Sequence, residues 1–379
     1  MRVAMHVMYY WPEVGGLETH VKTLSECLVR QGHTVDVVTS RSKSGTPAFE
    51  EKNGVRLHRK VFPGKGNLGW VVTTLAALPA FWGLGRKADM MHAHDFPSIV
   101  PMLLPSWFSG TPIVATIHTS HFLRLAAKAW VRPFMGWLLR RADVLLAPSV
   151  EIADVCRELA PRHPVYAMVN AADTFHFKVV EGVLPKPRPA TWRLVVPRRL
   201  YPKNGPNFAL EALPLVRRQL DAELYFVGDG PMREEMEARA KALGIADFVH
   251  FLGAKPNDEM PGYLCSADLI VIPSLVEATS VAGLEAMACE RVLVASDTGG
   301  LPEIVRPDTG FLARPGDVED LAARILEAAA QPGERLAEMG RQARARVVER
   351  WSVEALTREV MVHYGEAAGK RGKKLRVES

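Results

Sequence analysis

The sequence predicts an α/β protein of two doubly wound domains facing each other across a cleft. Three observations lead there. A chain of 379 residues is too long for one typical core and about right for two. In both halves, short apolar runs of strand type alternate with segments of helical period, the pattern that gives a sheet covered by helices. Residues 178–190, irregular and holding three prolines, separate the two series. Domains are therefore expected over 1–180 and 191–355, with 181–190 as linker, 356–368 as a last helix and 369–379 as a basic tail. No internal repeat of solenoid length is present.

Composition narrows the function. Hydrophobic residues at 48% and charged residues at 23% are ordinary for an α/β protein. A net charge of +5 permits an anionic substrate or membrane surface without demanding one. Nucleic acid is a poor partner, since no zinc spacing, recognition helix or stacking motif occurs. Cys27, Cys156, Cys265 and Cys289 are scattered with no CxxC, as reduced core thiols of a cytosolic protein would be. Met1 to Met8 runs straight into a strand with no cleavage site, so no signal peptide is expected. The longest apolar stretch, 70–84, contains Thr73, Thr74 and Pro79 and is shorter than the ~20 residues of a spanning helix.

Val3 to Met8 forms the first strand. Gly15 and Gly16 follow it, free to turn tightly and to approach a ligand, and a helix runs on to about Arg30. His20, on the first turns of that helix, is either functional or packed. Gln31-Gly32 stops the helix before a second strand ending at Thr39, and residues 54–58 form another. Residues 66–87 read as a helix with a loose start. Residues 89–94 are a strand ending in His92, His94 and Asp95, ligand types for a metal. His92 and His94, however, share one strand face at a carboxyl edge, where substrates lie in open sheets. Residues 111–118 are a buried strand ending in His118. From His121 to Arg141, Arg124, Lys128 and Arg132 recur every four residues among Phe122, Leu125, Trp130, Phe134 and Trp137. Such a basic amphipathic helix can lie on an anionic membrane, or pack normally with a kink at Pro133. Residues 143–149 and 165–169 complete this sheet.

Residues 192–196 begin a second sheet and run into Pro197-Arg-Arg-Leu-Tyr-Pro-Lys-Asn-Gly205 and a helix. Strands at 222–227 and 248–253 follow, and Lys255-Pro256 opens a helix. Residues 267–272 are a buried parallel strand ended by Pro273, which cannot donate to a ladder. Thr279 or Ser280 then caps a helix with Val281, Leu284, Met287 and Ala288 at helical spacing. A strand, a tight loop and a capped helix aim free N–H groups and a positive helix end one way, which suits an anion, most often phosphate. Glu277 lies in the loop and Glu285 about a turn inside the helix. A phosphate would repel both, so they read as acceptors for neutral hydroxyls beside it; the plainer reading is two solvated acids. Residues 291–296 are a strand, Gly299-Gly300 open another helix, 317–348 are amphipathic helices, and a final helix from Trp351 precedes the basic tail.

The Glu277-x7-Glu285 pair, Glu285-Ala-Met-Ala-Cys289 and Val294-Ala-Ser-Asp-Thr-Gly-Gly-Leu-Pro-Glu-Ile-Val305 resemble the donor-site signature of retaining glycosyltransferases of family 4, which have the GT-B fold. The resemblance extends over nearly the whole chain. It implies transfer of a sugar from a nucleotide-sugar donor to a hydroxyl acceptor, lipid-linked, polysaccharide or small-molecule, with no metal or cofactor. Glu277 would then hold the sugar and Glu285 the ribose, with the backbone of Thr279, Ser280 and Val281 beside the phosphates. Residues 197–205 resemble G-R-L-x-x-x-K-G, whose cations grip the diphosphate as it gains charge on leaving. The grip falls on Arg199 and, because Asn204 occupies the lysine position, on Lys203 beside it. Gly15 and Gly16 match the family's G-G-x-x-x-H-V loop at the donor phosphates and acceptor, and Tyr10, His20 and His121 join the acceptor side.

His118 matches the catalytic histidine of the family's T-x-H-D, with Thr119-Ser-His121 following here in place of the acid. The catalytic set implied is His118, Glu277, Arg199 and Lys203, and the leaving phosphate itself helps deprotonate the acceptor. Related transferases carry H-x-H at the position of His92 and His94 without a protein-bound metal. Asn170-Ala-Ala-Asp173 resembles the family's P-N-G-V-D at the domain junction. The resemblance also implies a last helix that crosses back to the first domain, and domain closure that keeps water from the donor. A cytoplasmic location is expected, with the inner membrane face as the site if 121–141 touches lipid. An oxidoreductase is disfavoured because no G-x-G-x-x-G follows the first strand. The remaining alternative is a membrane-associated or nucleotide-sugar-binding subunit with a degraded site, kept open by Ser120, Ala171, Asn204 and Glu290.

Overall fold

The structure is a computed structural model. It describes every residue except 14, 15, 63, 65, 66, 119, 169, 170, 278, 279, 374 and 376–379, and only the backbone of 16, 67, 68, 120 and 121. Its contacts divide the chain into two compact units, Met1–Asn170 with Val353–Ser379, and Ala171–Ser352.

The first unit opens with β1 (Arg2–His6), α1 (Gly16–Arg30), β2 (Thr34–Ser40), β3 (Phe49–Lys52), β4 (Val55–Lys60), α2 (Asn67–Ala76), α3 (Leu78–Leu84) and β5 (Met90–His94). A 3-10 stretch, Phe96–Met102, leads to α4 (Leu103–Ser109), β6 (Ile113–Thr116), α5 (Ser120–Ala126), α6 (Arg132–Leu139), β7 (Val144–Ala147), α7 (Val150–Leu159) and β8 (Val165–Ala167). Its eight-stranded sheet has the order β3-β4-β2-β1-β5-β6-β7-β8, parallel except for the β3–β4 pair. Strands β5, β6 and β7 are buried along their whole length, which is why β6 and β7 read as largely apolar runs and why His92 and His94 of β5 are buried. The chain builds outward from β1 on one side, then returns to add β5 on the other. That reversal sets the carboxyl ends of β1 and β5 side by side, the place where open sheets bind ligands.

The second unit comprises β9 (Trp192–Val196), α8 (Pro206–Arg217), β10 (Ala222–Phe226), α9 (Arg233–Ala242), β11 (Val249–Phe251), α10 (Met260–Ser266), β12 (Leu269–Ile272), α11 (Val281–Ala288), β13 (Leu293–Ser296), α12 (Leu301–Ile304), β14 (Gly310–Ala313), α13 (Val318–Ala329) and α14 (Gly333–Arg350). Its six-stranded sheet runs β11-β10-β9-β12-β13-β14, with the reversal between β9 and β12. The loops that leave those two strands are 197–205 and 273–280. The chain then returns to the first unit as α15 (Val353–Lys370), which packs on α1, β6 and β7.

Several expectations change. Residues 171–190, expected as the end of the first domain and a linker, belong to the second unit. Ser266 Oγ accepts the amides of Val183 and Leu184 at 2.7 and 2.9 Å, and the Arg344 guanidinium donates to the carbonyls of Thr174 and Phe177. Segment 66–87 is two helices, because Pro79 sits in the first turn of α3 and starts it. Segment 121–141 is likewise α5 and α6, Pro133 opening α6 instead of kinking one long helix. The first residues of the basic tail close α15: Gly372, at φ 65°, lets Lys373 N donate to Ala368 O.

Candidate active site

In the second unit the loops after β9 and β12 are knitted together. The amides of Leu275 and Val276 donate to the Lys203 carbonyl at 2.9 and 3.3 Å. Gly205 makes this approach possible: a Cβ there would lie 2.0 Å from the Pro273 carbonyl oxygen, and its φ is +59°. Gly299 does the same from the other side, since a Cβ would lie 1.6 Å from the Glu277 carbonyl oxygen. Ser280 caps α11, its buried hydroxyl accepting the Gly283 amide at 3.2 Å.

The Arg198 guanidinium sits on this cap. It is ion-paired with the Glu277 carboxylate and donates to Asn204 Oδ1 at 3.1 Å, Ser274 Oγ at 3.2 Å and Ser280 Oγ at 3.5 Å. Asn204 is buried and anchored in turn by donating to the Arg199 carbonyl at 2.7 Å. Arg198 Nε is buried without a partner among the described residues. On α11, the half-buried Glu285 carboxyl has no compensating cation among the described residues, and desolvation pushes it up to about 8. An anchored cation, a charge-paired carboxylate and a helix N-terminus thus share one loop cluster, and Glu285 stands about a turn further along α11. They can bind an anion flanked by hydroxyl-bearing groups.

In the first unit the histidines converge. His94 Nδ1 lies 3.3 Å from His118 Nε2, and the His20 ring is edge-on to His118 at 4.5 Å between centroids. Ring nitrogens of His20, His94 and His118 lie within 4.8 Å of one another, a set able to hold a metal ion. Burial lowers His20 to about 4 and drives His94 and His118 well below the ordinary range, so all three are neutral at pH 7. The set suggested by the sequence is not the one assembled. His92 is engaged by Tyr364 Oη at 2.8 Å and Thr116 Oγ1 at 2.7 Å, and Asp95 accepts the Phe96 amide.

Each expected residue can now be placed. Glu277, Ser280, Val281 and Glu285 lie in the loop and helix of the second unit. Arg199 and Lys203 are exposed there, Arg199 over the Tyr201 ring at 5.6 Å; the cation brought to Glu277 is Arg198, one residue earlier. His20 and His118 come together. Tyr10 does not join them, being buried with its hydroxyl 3.0 Å from Ser25 Oγ. Gly16 begins α1. Gly15 and Thr279 lie outside the described residues, as does the side chain of His121. Arg198 and Ser274 went unread, and Asn204 was noted only as standing in a lysine position; the Arg-Arg doublet was the available signal.

Residues 14–176 match the family described as Glycosyltransferase Family 4, and residues 187–346 match glycosyl transferases group 1. A glycogen synthase of Mycobacterium tuberculosis is 31% identical over 360 residues, covering 86% of this chain and 85% of that protein. Among solved structures, sucrose-phosphate synthase from Thermosynechococcus elongatus superposes with a TM-score of 0.76 at 21% identity, covering 97% of this chain and 99% of that one. HepE from Anabaena, solved in complex with UDP and glucose, gives 0.71 at 19% identity, with 96% and 99% covered.

Proposed function

The chain belongs to glycosyltransferase family 4, has the GT-B fold and moves a sugar from a nucleotide-sugar donor to an acceptor, and from that premise we propose that it does so with retention of configuration and without metal or cofactor. The observation that carries this reading is the Arg198–Glu277 pair seated on the Ser280-capped end of α11, with the unpaired Glu285 beyond it. The donor diphosphate lies against that helix end, where free amides and the dipole favour an anion. Arg198 supplies the fixed charge expected of Lys203, and Arg199 adds a second from the exposed rim. Fixed cations are worth most as the leaving diphosphate gains charge. Glu277 takes hydroxyls of the transferred sugar, and Glu285 those of the ribose.

Glu277 is tied up by Arg198, which supports a leaving phosphate oxygen, not this carboxylate, as the group that takes the acceptor proton on the face it departs from. The acceptor side is the first unit, where neutral His118, steadied by His94 and His20, is the group presented to the acceptor. Metal independence is supported at the donor side, where a fixed guanidinium and the capped end of α11 offer the diphosphate the positive charge a divalent ion would otherwise supply. The acceptor hydroxyl is lipid-linked, reached from the cytoplasmic membrane face through peripheral contact of residues 121–141. Trp130, Phe134 and Trp137 are exposed there beside Arg124, Lys128 and Arg140.

The test is labelled-sugar transfer by the purified protein from UDP-, GDP- and ADP-sugars, with and without chelator. Turnover should survive the chelator and fall by roughly 10²-fold in Arg198→Gln, which keeps hydrogen bonding but loses charge. Full activity in that variant removes Arg198 from the site. Nucleotide binding without any transfer turns the protein into a binding subunit.

A further inference from the structure

The first unit carries a charge and aromatic asymmetry that sugar transfer does not use. Helices α3, α4 and α6 cover the same face of its sheet, for Phe81, Met102, Met135 and Leu138 at and beside them share one core cluster. Their outward residues are apolar as well. Trp107 is 78% exposed and Phe108 62%. Phe108 meets Trp107 at 5.2 Å and, from α3, Trp82 at 5.3 Å between ring centroids, so the three rings form one patch. Cations rim it. Arg86 lies over Trp82 at 5.0 Å, and Lys373 Nζ donates to the Ser109 carbonyl beside Phe108 at 3.1 Å. On α6, Arg141 lies over Trp137 at 4.9 Å. The end of α15 joins these places, Arg371 pairing with Asp143 just after α6 and Lys373 reaching Ser109 after α4.

Acids are nearly missing from this layer. Residues 67–142 hold seven Lys or Arg and only Asp89 and Asp95. Asp89 accepts the Arg2 amide, and Asp95 is buried. That excess of five equals the net charge of the whole chain, +5, so the rest of the sequence is charge-balanced. Of these cations Arg86 and Lys87 stand at the end of α3 beside Trp82, and Arg371 and Lys373 after α15 are brought to the same edge, while the other five lie in 124–141. A second copy docked symmetrically would set basic rim against basic rim, which is unfavourable. Tryptophan rings with arginine and lysine heads at their margin instead match the headgroup level of a bilayer with anionic lipid.

We propose that the Trp82–Trp107–Phe108 patch, rimmed by Arg86, Lys87 and the Lys370–Lys373 end of α15, is the docking surface of this protein on an anionic phospholipid bilayer. It rests on the peripheral contact proposed above and moves its centre from 121–141 to the α3–α4 edge. The rings enter the interface while the cations stay with lipid phosphates.

Flotation with vesicles of phosphatidylcholine, alone or mixed with phosphatidylglycerol, tests it on the full chain. The wild type should float only with the mixed vesicles. Trp107→Ser with Phe108→Ser should weaken that binding by about tenfold or more, since two aromatic side chains no longer leave water. Both side chains are exposed, so melting temperature and nucleoside diphosphate binding should stay at wild-type values. Arg86→Gln with Lys87→Gln should weaken binding to mixed vesicles and flatten its salt dependence. If the Trp107/Phe108 variant floats like wild type while Trp130→Ser with Phe134→Ser does not, contact through 121–141 stands and this placement is wrong. Failure of the wild type to float with any vesicle overturns both. A wild-type dimer dispersed by the Trp107/Phe108 change would replace the bilayer by a second copy of the chain.

Discussion

The Glu285 carboxyl has no hydrogen-bond partner among the described residues, and burial raises it to about 8. Near neutrality it is therefore largely protonated. Hydroxyls donating to it would favour the ionised form, so a bound ribose expels a proton. Affinity for the nucleoside diphosphate should rise between about pH 6 and 8 and level off above that, and Glu285→Gln should abolish the slope. Calorimetric titrations at stepped pH read this directly; a wild-type affinity that is flat over that range removes Glu285 from the ribose. The stability sign is opposite. A carboxyl raised on folding contributes stability that is full below its unfolded range and is lost as pH rises through about 8. The two glutamates were legible because the E-x7-E pair and the residues after it resemble the family's donor-site signature; the spacing by itself reads as two solvated acids. The choice between Arg198 and Arg199 was not legible. Neighbours leaving β9 diverge, and only the tertiary partners Asn204, Ser274 and Glu277 decide which of them is drawn in.

Strands β1, β5 and β6 bring histidines to one end of the first sheet, and α1 adds His20. Burial lowers His6 and His20 to about 4 and His92 to about 3, with His94 and His118 also well below the ordinary range. Each is neutral when folded, and each would take a proton near pH 6.5 when unfolded. The unfolded chain therefore binds more protons as pH falls. This stabilisation is complete above about pH 6.5 and is lost on the way down toward 4, at roughly 1.4 kcal/mol per unit for each histidine. The first unit should lose several kcal/mol between pH 7 and 5. Denaturant titrations followed by its tryptophans would show this, and equal midpoints at the two pH values would contradict it. These strands could be read from sequence because a doubly covered strand is mostly apolar, here Val3-Ala-Met5, Met90-Met91 and Ile113-Val-Ala115. Strand β3, Phe-Glu-Glu-Lys at an edge, offers no such run, and β14, Gly-Phe-Leu-Ala, opens on a glycine at the edge of the other sheet with its two middle residues only half-buried. Helix α4 hid behind Pro101 and Pro105, which punctuate its sequence like a loop.

At the scale of the chain, two domains followed from length and from the alternation of elements, but not the point of division. Residues 171–190 have little regular structure to read, and it is Ser266 and Arg344 that bind them to the second unit. The topology then makes the two units unequal in autonomy. The second is one continuous segment, Ala171–Ser352, with its own core and sheet. The first is complete only when α15 returns to it. Leu356, Val360, Tyr364 and Ala367 form a buried face on that helix, and the Tyr364 hydroxyl reaches His92 inside the sheet. Burial of a large side chain is worth about 1.5–3 kcal/mol, so losing three of them removes much of the ~5–15 kcal/mol that holds a domain. A fragment spanning 171–352 should therefore unfold cooperatively by itself and bind nucleoside diphosphate through Arg198 and Glu285. A fragment ending at residue 170 should stay unfolded until a peptide covering 353–373 is supplied. Circular dichroism and denaturant curves on the two fragments settle the matter, and a residue 1–170 fragment as cooperative as the intact protein would show that α15 is an ornament of the first unit and not part of its core.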